Sequence, residues 1–146
     1  MNNQHRPVEE IAEEVLRILP VFIRKVHSGI IQQMSLTPAQ LFVLMFLEEH
    51  PVCRLGDISR EMDIAPPTAT GIVDRLERDG YLRRVPDEED RRAVNISLTE
   101  KGVKFLKEMR RKKYERTCRI LNMLTPEDRE HYVRILKKLL EGVENV

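Results

Sequence analysis

Early in the chain, apolar side chains return every three or four positions: Ile11, Val15, Leu16, Leu19, Phe22, Ile23, Val26, Ile30 and Ile31. With 3.6 residues per turn this spacing gathers them on one stripe, so residues 8–33 are predicted to form one long amphipathic helix. Pro20 lies within it. Lacking an amide hydrogen and pressing on the preceding turn, it is expected to kink the helix or divide it in two. Thr37-Pro38-Ala39-Gln40 carries a start signal: a capping hydroxyl, proline at the first helical position, and glutamine three residues after the cap. The helix it opens runs through residues 41–50 and stops before Pro51. After Val52-Cys53-Arg54, the residues Leu55, Ile58 and Met62 mark a helix of about two turns. Asp63-Ile64-Ala65 makes a three-residue turn, Pro66-Pro67 restarts a helix that reaches Asp79, and Gly80 supplies its left-handed exit.

Beyond Gly80 the periodicity changes from helical to alternating. Residues 82–85 and 93–98 read as strands, and Pro86-Asp87-Glu88-Glu89-Asp90-Arg91-Arg92 between them is a charged turn with nothing to bury. Thr99 caps a long helix to about residue 122. Thr125-Pro126-Glu127-Asp128 starts a last one, whose Tyr132, Val133, Ile135, Leu136, Leu139, Leu140 and Val143 form a broad apolar stripe. The fold class expected is mainly α with a small β wing. Residues 35–98 form a winged helix-turn-helix lobe, and residues 1–34 and 99–146 form a helical dimerisation region.

A short helix, a tight turn and a second helix is the arrangement that sets the second helix into a major groove of DNA. On the helix from Pro66, residues Ala69, Ile72, Val73 and Leu76 share an inward face. The opposite face carries Pro67, Gly71, Asp74, Arg75 and Arg78, flanked by Thr68 and Thr70. Thr68, Thr70 and Gly71 leave the leading end slim enough to approach base edges, where threonine offers a hydrogen bond and a methyl for thymine. Pro67 and Arg75 complete the expected major-groove set. Arg91 and Arg92 at the hairpin tip suit a narrow minor groove, where the negative potential is deepest. Asp90 is expected to pair with Arg92 and hold its guanidinium extended. Arg54, Arg78 and Lys101 are the expected phosphate contacts, with Lys104 a further candidate.

Charge alters this picture. Lys and Arg total 25 against 24 Asp and Glu, so the chain is not a polycation. Binding to double-stranded DNA must therefore rest on a few well-aimed arginines rather than on bulk charge. No apolar run approaches the roughly 20 residues that span a bilayer, and the first residues lack a signal-peptide layout. A cytoplasmic protein without a membrane partner is expected. Cys53 and Cys118 have neither disulfide-framework nor metal-ligand spacing, so no metal and no cofactor is expected.

The stretch LGDISREMDIAPPTATGIVDRLERDGYLRRVPDEEDRRAVNISLTEKG, residues 55–102, resembles the core of the MarR family of transcriptional regulators. The likeness is carried by VDRLERDG at the end of the recognition helix, the DEEDRR wing, and SLTEKG opening the next helix. It implies a homodimer joined through its first, fifth and sixth helices, bound to a pseudo-palindromic operator. Such proteins are usually repressors, released by small phenolic or lipophilic compounds or by oxidants. Thr68, Thr70 and Arg75 match family positions that touch the major groove or its backbone, and Arg92 matches a wing arginine anchored by Asp90. No cysteine lies in the first helix, where oxidant-sensing members carry theirs.

Apart from the family, the terminal helices present more apolar surface than one small lobe can cover, which calls for a two-fold partner. The basic helix after Thr99 bears nine Lys or Arg between Lys101 and Arg119. Most of these are solvated surface, while those farther along, with His27 as a residue that could border the pocket, suit an anionic ligand between lobe and arms. A helical adaptor leaves the arginine-tipped hairpin without a purpose, and an enzyme lacks any legible nucleophile, base or phosphate loop.

Overall fold

The computed structural model describes residues 6–31, 36–87, 90 and 92–143, without the side chains of 27–31. The elements follow the order α1 (Val8–Ile31), α2 (Pro38–Glu49), β1 (Cys53–Arg54), α3 (Leu55–Glu61), α4 (Pro66–Arg78), β2 (Leu82–Pro86), β3 (Val94–Leu98), α5 (Glu100–Leu121) and α6 (Pro126–Val143). The mainly helical class with a small sheet is as expected.

Pro20 does not divide α1, which runs through it for 24 residues. Proline removes the bond to the carbonyl of Leu16, and the helix continues past that one missing bond. The start of α2 forms as its sequence dictates. Thr37 N–H donates to Gln40 Oε1 at 2.8 Å, and Gln40 N–H donates to Thr37 Oγ1 at 3.3 Å.

The core lies between α2, α3, α4 and one face of the sheet. Val43, Leu44, Ile58, Ala69, Val73, Leu76 and Leu106 are wholly buried, with Leu47, Leu82 and Ile96 nearly so. Each large apolar side chain removed from water in this way contributes about 1.5–3 kcal/mol. Because Ala69, Val73 and Leu76 fall on one side of α4, burying them turns the other side outward. The turn between α3 and α4 is tied by Ile64 N–H to the Ser59 carbonyl at 3.1 Å and by Ser59 Oγ to the Ile64 carbonyl at 2.6 Å. Asp63 takes the left-handed conformation there, at φ 50°.

The sheet order is β1-β3-β2 and both pairings are antiparallel. Only the hairpin was expected; β1, two residues long, is too short to show alternation. At the sheet's exit Thr99 Oγ1 donates to the Gly80 carbonyl at 2.6 Å, and Thr99 N–H donates to the Tyr81 carbonyl at 3.0 Å. A Cβ at Gly102 would lie 2.2 Å from the Tyr81 oxygen, so only glycine permits this approach of α5 to the sheet.

Two compact units divide the chain, one through Met109 and one from Arg110. Leu106 and Met109 are buried with the first unit's core, so its packing extends beyond Thr99. In the second unit Thr125 caps α6 through Asp128 N–H at 3.2 Å. No residue of α6 is buried.

Candidate DNA-binding surface

The outward face of α4 holds Pro67, Thr68, Gly71, Asp74, Arg75 and Arg78, all exposed. Thr70 is half-buried beside them, and its Oγ1 donates to the Pro66 carbonyl at 2.9 Å. That bond commits the hydroxyl proton, so Thr70 offers a base only its lone pairs and its methyl. A Cβ at Gly71 would meet nothing within 4 Å, so the fold itself does not require glycine there. Arg75 reaches into solvent, with no ion pair in which it takes part among the described residues. Arg78 leans on Asp79 at 3.7 Å, an exposed pair of little energy.

Arg84 on β2 was not among the expected site residues. Its Nη2 lies 2.7 Å from Asp74 Oδ1, its Nη1 donates to Glu77 Oε2, and its main-chain N–H donates to Glu77 Oε1 at 3.1 Å. Burial pulls the guanidinium's pKa down, but the hydrogen bonds it donates to Asp74 and Glu77, with their charges, outweigh it and leave the value raised. Two acids of α4 are thereby paired, and the base of the hairpin is fastened to that helix. The signal was present in strand parity: Leu82 is buried, so Arg84 two residues on must share its face.

The wing is organised around Asp87. Asn95 Nδ2 donates to Asp87 Oδ2 at 2.9 Å, Asp90 N–H donates to Asp87 Oδ1 at 3.0 Å, and Arg54 Nη2 approaches Asp87 Oδ2 at 3.6 Å. Arg54, expected on a phosphate, is thus also tied to the wing base, and its own N–H donates to Asp57 Oδ2 at 2.8 Å. Asp90 does not hold the Arg92 guanidinium as expected. Its Oδ1 accepts from the Arg92 main-chain N–H at 3.0 Å, because a short carboxylate reaches the amide two residues on more readily than a long side chain's tip. The Arg92 side chain is exposed, while Arg91 lies outside the described residues. Lys101 is also differently engaged. Its Nζ donates to the Asp79 carbonyl at 2.6 Å and stands 4.4 Å from the Tyr81 ring centre, closing the C-terminal end of α4. Lys104 pairs with Glu100 at 2.9 Å.

Burial, with the Asp57 charge nearby, pushes the Cys53 thiol up to about 11, which keeps it protonated at neutral pH. No helix among the described residues is long and apolar enough to cross a membrane.

A model of the MarR family matches residues 36–94. The chain is 33% identical over 113 residues to the HTH-type transcriptional regulator YfiV of Bacillus subtilis, covering 77% of this chain and 71% of that one. The chain belongs to the MarR family. It is also similar to the HTH-type transcriptional repressor MdtR of Bacillus subtilis, 28% identical over 95% of this chain and 92% of MdtR. Among solved structures, YusO of Bacillus subtilis superposes with a TM-score of 0.82 at 27% identity, covering 93% of this chain and 99% of that one. The fold is shared by a MepR mutant of S. aureus bound to an oligodeoxyribonucleotide, with a TM-score of 0.75 at 23% identity over 90% of this chain and 97% of that one. This MarR-family chain is accordingly a winged helix-turn-helix transcriptional regulator and not an enzyme.

Proposed function

We propose that this regulator binds a pseudo-palindromic operator as a homodimer and represses transcription from it. Each α4 enters a major groove with Pro67, Thr68, Thr70, Gly71 and Arg75, while Arg91 and Arg92 of the wing reach the neighbouring minor groove. Arg54 and Arg78 lie toward phosphates, and Lys101 contributes through its hold on the end of α4. The observation that carries this reading is the outward edge of α4, slim at Thr68–Gly71 and bearing an uncommitted arginine, beside a hairpin fastened to the same helix. The MepR complex with an oligodeoxyribonucleotide lends support to the DNA partner, and the name of MdtR lends support to repression.

The homodimer is supported by what the single chain leaves uncovered. Leu16 on α1 is 74% exposed and Leu140 on α6 is 65% exposed, within stripes that contain no buried residue among those described. Such surfaces call for an apolar partner, and a second copy supplies one while setting two α4 helices about 34 Å apart. Release by a small phenolic or anionic compound is the remaining part of the reading, and its support is family membership alone.

Footprinting on the DNA flanking the protein's own gene tests the proposal. An inverted repeat of about two helical turns is expected to be protected. Absence of any protected site at moderate salt would overturn it, and a titration of the complex with benzoate tests release by an aromatic anion.

A further inference from the structure

We propose that Arg84 is a positioning residue for operator binding: it sets the wing against the recognition helix and offsets charge that α4 would otherwise turn toward the phosphates, without touching DNA. The inference rests on the DNA-binding reading above. Asp74 is 57% exposed on the outward side of α4, and Glu77 lies one turn along. Without Arg84 both carboxylates would stand uncompensated beside the phosphate track. With it the cluster carries one positive and two negative charges, and the guanidinium is turned into the protein.

The geometry asks for arginine in particular. One nitrogen engages Glu77, the other engages Asp74 at 2.7 Å, and the strand's own N–H at position 84 adds a bond to Glu77 at 3.1 Å. A planar fork can bridge two carboxylates at once, whereas a lysine ammonium on its flexible stem is a point charge that cannot reproduce the bridge. The chain between α4 and β2 is a tight turn, with Tyr81 N–H donating to the Leu76 carbonyl at 2.9 Å. That turn fixes where β2 begins. The Arg84 bridge lies two residues farther along, where it restrains the direction in which the strand leaves. A small change of angle there displaces the wing tip, several residues on, from its groove.

The test separates geometry from charge with R84K, which keeps the charge, and with the triple variant D74N/E77Q/R84M, which removes the whole cluster and leaves no unpaired ion. Operator binding is measured by fluorescence anisotropy across a salt series, and hydroxyl-radical footprints read the minor groove under the wing. Both variants are expected to bind the operator about tenfold more weakly and to lose the wing's minor-groove protection. Binding to random duplex should stay within about twofold of wild type, and R84K should keep the wild-type salt slope. Wild-type affinity with full wing protection in R84K would overturn the role of the fork. The same result in the triple variant would reduce Arg84 to charge compensation. A slope lower by about one in the triple variant, which removes the cation, would mean that Arg84 contacts a phosphate itself. Failure of wild-type protein to protect any DNA would remove the underlying reading instead, so the two failures are distinguishable.

Discussion

Replacing Gly71 with alanine separates folding from DNA recognition, because the two respond in opposite directions. Gly71 lies within α4, and a Cβ built there has open space for at least 4 Å. Relative to alanine, glycine inside a helix destabilises by about 0.5–1 kcal/mol through its greater freedom in the unfolded chain. G71A should therefore raise the melting temperature by roughly 1–4 °C. On DNA the added methyl occupies the slim edge that the account presses against base edges. If relieving that contact costs about 1–3 kcal/mol, as inserting a methyl into a close-packed site does, operator affinity falls roughly 5- to 150-fold. Calorimetric melting and anisotropy on the same preparation measure both effects. A protein that is stabilised yet binds as tightly as wild type would show that position 71 does not face the bases. A destabilised protein would show that the surroundings of Gly71 are not open.

Other expectations follow from individual contacts. G102A must place a methyl against the Tyr81 carbonyl, at 2.2 Å before relaxation, and should lower stability in urea unfolding by on the order of 3 kcal/mol. R92A should weaken operator binding roughly tenfold while leaving the dimer intact in analytical ultracentrifugation. The buried Cys53 thiol, raised from the ordinary 9.0 to about 11, should resist alkylation at neutral pH until the protein is denatured. Because its native-state value lies above the unfolded one, its contribution to stability is intact below pH 9.0 and is lost as pH rises toward about 11, which denaturant titrations at alkaline pH can follow. L140E, placing a charge in the α6 stripe, should shift the sedimentation equilibrium toward monomer.

What could be read in advance was whatever depends on local periodicity and capping. The inward face of α4 follows from the spacing of Ala69, Val73 and Leu76, and the cap at Thr37 from its threonine and glutamine. The glycine exit at Gly80, with φ at 79°, follows from the residue that best tolerates it. What escaped depends on neighbours distant in sequence or on which of several donors wins. β1 exists only because β3 is there to pair with it, and two residues show no alternation. The Arg84 bridge carries no local signal, because the partners lie 10 and 7 residues earlier, on α4. At Asp90 the donor from Arg92 is the main-chain amide and not the expected guanidinium. At Pro20 the missing donor and the ring's pressure on the preceding turn both point to a kink or a break, and the helix nevertheless runs through the position.

The account stands most directly on groove occupancy, which dimethyl sulfate probing of the bound operator reports through guanine N7 in the major groove. It predicts protected guanines in two clusters about one helical turn apart, related by the operator's dyad, and loss of both clusters when Thr68, Thr70 and Arg75 are replaced together by alanine. Guanines that remain equally reactive in free and bound DNA, or protection that survives the triple replacement, would contradict the placement of α4 against the bases.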